Sequence, residues 1–271
     1  MNVCRQGYYE WAARERERPV RFRQDEMLTA KIKNIFYESK CRYGARKIRR
    51  LLRREGWTVS RKRVRRLMLE SGLVPITLWR HVATTDSKHG LSVFPNLVNR
   101  DFRAVTVNRV WVSDFTYLHT DEGWLYLCSV LDICSRRVVG WAVSRAIDRN
   151  LAIAALENAV KNRRPGRGFI FHTDRGNQYA SADFRSTVAR YGGLQSMSEP
   201  SSPYDNACAE SFFRSLKVEC VDAAHFTTRR QATEGIAEYM LFYNRRRIHA
   251  SLDYRTPVEF EHDLMSLVPA S

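Results

Sequence analysis

Three acidic residues sit where they can do chemistry together. Asp114 lies in the apolar run Val-Trp-Val-Ser-Asp-Phe-Thr-Tyr-Leu, Asp174 in Phe-His-Thr-Asp-Arg-Gly, and Glu210 in Asp-Asn-Ala-Cys-Ala-Glu-Ser-Phe-Phe, with 35 residues between the last two. A carboxylate in an apolar segment is costly to bury unless positive charge meets it, and three that converge repel one another. A divalent cation between them is the natural resolution. Each acid also has an ordinary reading. Asp174 opens the turn sequence Asp-Arg-Gly-Asn, Asp114 can be a strand residue bonded to a neighbouring helix, and Glu210 can pair with Arg214 at i+4. Singly those readings win; the joint pattern depends on the elements that carry the acids.

From Arg109 onward the sequence is rich in β-branched and aromatic residues. Arg109 to His119, Trp124 to Asp132 and Arg137 to Ser144 read as three strands joined by short turns, hence an antiparallel meander. A helix over Asn150 to Lys161 follows, then a buried strand, Gly168 to Thr173, that ends at Asp174. A helix near Ser181 to Tyr191, a short strand near Leu194 to Met197 and the helix bearing Glu210 complete the order. That order belongs to the α/β ribonuclease-H-like fold of integrase catalytic cores, a mixed sheet with flanking helices. It sets Asp114 mid-strand, Asp174 at a strand's carboxyl end and Glu210 on the adjoining helix. In that helix Ala209, Phe212, Phe213, Leu216 and Cys220 form the buried stripe. Glu210, Arg214 and Lys217 share the other face, with Lys217 about 10.5 Å along the axis, where it can hold a phosphate of DNA.

Charge identifies the partner. The 271-residue chain carries a net charge of +16, and its first 80 residues hold 22 lysines and arginines against 8 acidic residues. So uneven a field attracts a polyanion, and double-stranded DNA is the leading candidate. Within this third, Asp25 to Lys40 reads as a helix with Leu28, Ile32, Ile35 and Phe36 on one face. Ala45 to Glu55 turns Ile48, Leu51 and Leu52 inward and Arg46, Lys47, Arg49, Arg50, Arg53 and Arg54 outward. Ser60 caps a third helix, Arg61 to Glu70, with Val64, Leu67 and Met68 inward. A small all-helical, helix-turn-helix domain over 1–80 follows, presenting Arg46, Lys47, Arg61, Lys62, Arg63, Arg65 and Arg66 to DNA. Charge alone supports phosphate contact, not base reading. Residues 81–103 read as a linker, 104–226 as the catalytic core and 227–271 as a carboxyl-terminal helical extension.

The motifs resemble a known family: the second-reading-frame (OrfB) transposases of the IS-three group of bacterial insertion sequences, in the retroviral-integrase-like superfamily of Asp, Asp, 35 residues, Glu enzymes. The resemblance rests on Trp111-Val-Ser-Asp114-Phe-Thr-Tyr117, His172-Thr-Asp174-Arg-Gly176-Asn-Gln178-Tyr179 and Tyr204-Asp-Asn206-Ala-Cys-Ala-Glu210-Ser-Phe-Phe213 with Lys217. It also rests on Tyr43-Gly44 before the arginine-rich helix, and on Tyr243-Asn244, Arg247, His249, Leu252, Thr256-Pro257 and Phe260 in the tail. It implies Asp114, Asp174 and Glu210 as catalytic residues holding two Mg²⁺ or Mn²⁺ ions, with Asn206, Arg214 and Lys217 at DNA. It implies strand cleavage and strand transfer at element ends, a homo-oligomer on DNA, and a cytoplasmic, nucleoid-associated setting. The segment Met197-Ser-Glu-Pro-Ser-Ser-Pro203 departs from the family, where a Gly- and Asn-containing, often basic loop is usual. That departure keeps a second reading open, a catalytically impaired copy acting as a DNA-binding repressor; a plain ribonuclease-H-like nuclease is the third.

The remaining features fit this frame. Six cysteines without a Cys-x-x-Cys pair suit a reduced compartment, and two cysteines with no histidine in residues 1–80 exclude a zinc-binding amino-terminal domain. No signal peptide or membrane span is legible. Arg247, His249 and Tyr254 resemble a tyrosine recombinase set only superficially, because Leu252 stands where a second arginine belongs. Arg245, Arg246, Arg247 and His249 are therefore expected to face DNA or to pack, on one helix from near Arg230 to before Thr256. His172 is expected to be packed or hydrogen-bonded, and Trp111, Trp124 and Trp141, one per strand, to be core. The opening Met1-Asn2-Val-Cys-Arg-Gln-Gly-Tyr-Tyr resembles an internal family motif, so the working enzyme is expected to be a frameshift fusion with an upstream-frame partner.

Overall fold

The computed structural model describes residues 4–76, 94–97, 106–198, 207–222 and 224–267, with 13–21 given by backbone alone. Two compact units divide the chain, Met1–Thr77 and Leu78–Ser271.

The first unit is three helices, α1 (Arg5–Glu38), α2 (Ala45–Arg54) and α3 (Arg61–Glu70). Leu28, Ile32, Ile35 and Phe36 of α1 bury against Ile48 and Leu52 of α2 and Val64, Leu67 and Met68 of α3. Gly56 ends the α2 turn at φ +86°, a backbone state that costs glycine little. The Ser60 hydroxyl accepts from Arg63 N at 3.2 Å and starts α3. Helix α1 begins twenty residues earlier than the expected Asp25, because its amino-terminal stretch lacks the apolar periodicity that marks a packed helix in sequence.

In the second unit a five-stranded sheet runs in the order β3 (Val138–Ser144), β2 (Gly123–Asp132), β1 (Val110–Thr120), β4 (Ile170–Thr173), β5 (Leu194–Met197). The first three strands pair antiparallel, while β4 is parallel to β1 and β5 to β4. This is the ribonuclease-H-like sheet that the sequence implies. The helices are α4 (Arg149–Arg163), α5 (Asn177–Ala180), α6 (Ala182–Arg190), α7 (Ala207–Leu216), α8 (Arg229–Arg245) and α9 (Pro257–Leu267). Alternate β1 residues, beginning with Trp111, join Cys128, Val130, Val139 and the buried stripe of α4 in one core cluster. Val112, Asp114, Thr116 and Leu118 alternate to the opposite face, towards α7 and α8.

Close approach of α4 to the sheet depends on Gly140. A Cβ there would lie 2.5 Å from Ala155 O and 2.5 Å from Ala159 N, main-chain atoms that cannot step aside. Gly140→Ala is expected to cost about 2 kcal/mol or more by overpacking. The drop in the urea midpoint checks it, and an unchanged midpoint would contradict the contact.

Several expectations are corrected. Trp111 is fully buried, but Trp124 is 47% exposed and Trp141 is half-buried; a period of two assigns a face, not how far the covering helices reach along it. The tail helix expected to run to before Thr256 ends early: α8 stops at Arg245, a 3-10 turn follows at Ala250–Leu252, and Pro257 opens a further helix, α9, where its missing N–H costs nothing. Short helix α5 had no legible periodicity. Both tail helices pack into the second unit: the Asn244 side chain brackets Val138 through both of its main-chain groups, and Arg163 and Arg137 meet the buried Glu261. Of the expected linker 81–103, only 94–97 is described; Phe94 packs on the core cluster and Leu97 N donates to Ser196 Oγ. The departing segment Glu199–Pro203 and Asn206 lie outside the described residues.

Candidate active site

The β1–β4 register builds the centre of the site. Val112 pairs with His172 in parallel as the last pair of the ladder; two residues further along each chain stand Asp114, within β1, and Asp174, just past β4, close enough for the two carboxylates to interact. Asp114 accepts from Phe115 N at 2.8 Å. Asp174, just past the end of β4, accepts from Gly176 N at 3.0 Å, so its turn role and its place beside Asp114 coexist. Arg175 Nε, donating to Ser198 O at 2.8 Å, ties that turn to the chain after β5. His172 is buried between Ser196 Oγ at 2.8 Å and Ser198 Oγ at 3.1 Å, packed as expected.

Electrostatics link the third acid. Asp114 retains slight access to solvent but is densely surrounded, and burial together with the Asp174 carboxylate and, less strongly, Glu210 pushes its carboxyl up to about 8. Phe115 N–H and the Lys217 ammonium oppose that shift. Glu210, exposed in the first turn of α7, is raised by partial desolvation. Asp114 thus responds more to Asp174 than to Glu210. Among the described residues no three His, Cys, Asp or Glu side chains close into a metal cage.

The donor set nevertheless fits a hard divalent cation, which takes carboxylate oxygens and relieves the repulsion at Asp114. A second sign is Ser129, paired across the sheet with Asp114, whose buried Oγ has no hydrogen-bond partner among the described residues. Asp114, Asp174 and Glu210 are the residues that could hold such an ion.

Past α7 the chain widens into a π-helical turn, Lys217–Val221. Lys217 Nζ stands 4.9 Å from the centre of the Tyr117 ring, and its charge reaches Asp114. Arg214 is exposed. Beneath the site, Tyr179 OH bonds Ser113 Oγ at 2.9 Å and touches Cys128 Sγ at 3.5 Å. Burial and the nearby Asp114 and Asp174 carboxylates, opposed by the hydrogen bonds to Ser113 and Tyr179, leave the Cys128 thiol pushed up to about 12, so it is neutral and no nucleophile.

On α3, Arg61, Lys62 and Arg65 are exposed, but Arg63 and Arg66 turn back onto Asp25 of α1, at 2.7 Å and 2.6 Å. Both also brace α3 against α1, and Arg66 stays half exposed. On α2, Arg46 is exposed and Lys47 lies over the Tyr43 ring at 4.7 Å. In the tail, Arg247 and His249 pack: Arg247 grips Glu219 of the π turn at 2.8 Å, and His249 stacks edge-on against Tyr243, while Arg245 and Arg246 are exposed. Sequence reasoning missed Tyr117, Trp124, Ser129 and Glu219; the polar or exposed character of each in an apolar neighbourhood was the only available signal.

Fold and site together define the integrase-core class of polynucleotidyl transferases. Models of an integrase core domain match residues 104–203 and 191–257, and a model of an HTH-like domain matches 23–80. The transposase for insertion sequence element IS904 of Lactococcus lactis is 41% identical over 238 residues, covering 87% of this chain and 94% of its own. Transposase InsF for insertion sequence IS3A of Escherichia coli is 38% identical over 263 residues, covering 97% and 91%. A chain of the simian T-cell lymphotropic virus intasome, solved by cryo-EM in complex with PP2A regulatory subunit B56 gamma, shares the fold at a TM-score of 0.50 and 16% identity, covering 65% of this chain and 60% of that one. The chain belongs to the IS3 family of insertion-sequence transposases. Its family acts in DNA transposition and typically uses divalent metal ions. Among the described residues no helix is long and apolar enough to cross a membrane.

Proposed function

We propose that this chain is a metal-dependent DNA strand-cleaving and strand-transferring transposase acting at the ends of its insertion sequence. The observation that supports the reading is that Asp114 and Asp174 each follow the parallel Val112–His172 pair by two residues and that the Asp114 carboxyl responds to Asp174, Glu210 and Lys217. When two Mg²⁺ or Mn²⁺ ions are bound, they supply activation of water or a DNA 3′-hydroxyl and stabilisation of the leaving oxygen. The protein's part is to hold that charge. Asp114, Asp174 and Glu210 provide the oxygens, Lys217 and Arg214 hold phosphates beside them, and no protein nucleophile takes part.

In this reading residues 1–80 bind DNA through Arg46, Lys47, Arg61 and Arg65, 81–103 connect, 104–226 carry the chemistry, and 227–271 brace the helix that bears Glu210. Asn206 lies at the DNA as well. The enzyme works in the cytoplasm, at the nucleoid, as a homo-oligomer on DNA. Purified protein incubated with DNA carrying both element ends is expected to nick at those ends with Mg²⁺ and not with EDTA. Binding without cutting at any Mg²⁺ or Mn²⁺ concentration would favour the repressor reading, and cutting without preference for ends the plain nuclease.

A further inference from the structure

We propose that Trp124, Tyr117 and His119 form a platform on which one unpaired DNA base stacks beside the phosphate being cut. The inference rests on the reading of the acids as the cutting site. Cross-strand pairing sets His119 opposite Trp124 and Tyr117 opposite Tyr126, so the three rings share one face of the β1–β2 hairpin beyond the strand pairs with β4. Trp124 meets Tyr117 at 5.2 Å and 88°, and His119 at 5.2 Å and 85°. The cluster is outward: Trp124 is 47% and Tyr117 52% exposed, and His119 is exposed.

Location and charge choose the occupant. The rings stand on the sheet face opposite Asp114, and Lys217 links the two, its ammonium resting over the Tyr117 ring while its charge lowers the Asp114 carboxyl. A base on the rings would therefore have its phosphate at the lysine. The hairpin-tip acids are engaged away from the rings, Asp121 with His225 at 3.1 Å and Glu122 with Arg229 N at 2.9 Å. Arg229 Nε also donates to Trp124 O at 3.1 Å, bringing a cation to the rim. The aliphatic neighbours Leu118 and Leu125 are buried on the other face, so the surface is aromatic and cationic without the aliphatic ridge that a protein helix seeks. Aromatic faces with adjacent cations suit a splayed base, because every base has a π-face.

The test uses the full chain and DNA ends in which 5-iodouracil replaces the base next to the cut, irradiated without Mg²⁺ and mapped by mass spectrometry. Parallel samples with Mg²⁺ measure nicking. Crosslinks are expected at the Tyr117–Trp124 hairpin. Trp124→Ala is expected to lower both crosslinking and nicking about tenfold, with Trp124→Phe restoring them to within about threefold and Trp124→Leu not restoring them. Wild-type yields from Trp124→Ala, rescue by leucine, or a loss of self-association without DNA in place of a crosslinking defect would each overturn the platform. Crosslinking at the hairpin without nicking would sink the cutting-site reading and leave the platform standing. Nicking with crosslinks elsewhere would do the reverse.

Discussion

Asp114→Asn is expected to stabilise the metal-free protein while abolishing strand cutting. In the folded chain the Asp114 carboxyl is pushed up to about 8 by burial, by Asp174 and then by Glu210, whereas in the unfolded chain it titrates near 4. The folded state therefore holds the proton more tightly between those values. Stability contributed by the neutral carboxyl is complete below about pH 4 and is lost as pH rises towards 8. Asparagine carries no such charge. The advantage of the variant should thus be small at pH 5 and largest above pH 8. The full shift sets a ceiling on the order of 5 kcal/mol; residual solvent access at Asp114 leaves roughly 2 kcal/mol, several degrees in melting temperature for a unit of this size. Thermal melts in EDTA at pH 5 and pH 8.5 measure the difference. Adding Mg²⁺ should raise the melting temperature of wild type and not that of the variant. Cutting should fall at least about a thousandfold in Asp114→Asn and in Asp174→Asn, because each loses a charged oxygen donor from the proposed ion site. A variant that cuts normally, or that gains nothing on going from pH 5 to pH 8.5, would show that these carboxylates do not form one electrostatic unit.

Breaking the Glu219–Arg247 pair should give the largest loss of stability. Arg247 donates to Glu219 from Nε at 3.0 Å and from its terminal nitrogen at 2.8 Å, and to Ser215 Oγ at 3.0 Å. Tyr239 OH donates to the same carboxylate at 3.1 Å. The side chains are only 14% and 11% exposed. Burial works against the guanidinium, yet the Glu219 carboxylate outweighs it and holds Arg247 above its ordinary range. Removing one partner strands the other charge, so Arg247→Met is expected to cost about 3–5 kcal/mol. The double variant Glu219→Gln with Arg247→Met should recover much of that loss, since neither charge remains. Chemical denaturation of the four proteins of this cycle measures the coupling; additive losses would mean that the pair does not act as a unit. Because Glu219 lies in the π turn directly after Lys217, the same variants should slow cutting in the folded protein by loosening the lysine and α7 behind Glu210.

Much of the second unit was legible because its signals are local. The three meander strands carry β-branched and aromatic residues between short turns, and the stripe Ala209, Phe212, Phe213, Leu216 and Cys220 repeats at helical spacing, so strands, helix and order could be read in advance. Helix α3 was legible from the Ser60 cap and from Val64, Leu67 and Met68. The amino-terminal half of α1 was not, since its sequence carries no periodic apolar spacing, and neither was the early end of α8 at Arg245. Charge was legible in amount but not in direction. Arg63 and Arg66 read like Arg61 and Arg65, yet they meet Asp25 from 38 and 41 residues away.

What the chain alone determined is the identity of the acids, their order along β1, β4 and α7, and the basic helical unit before them. Periodicity, caps and spacing are properties of neighbours in sequence. Tertiary structure alone decided that β1 and β4 pair in parallel ahead of Asp114 and Asp174, that Lys217 lies over Tyr117, that Trp124 faces outward and that Arg247 is held by Glu219. Each of those follows from contacts between residues far apart in the chain, whose partners are chosen by packing and by the need to neutralise buried charge, and no local pattern encodes that choice.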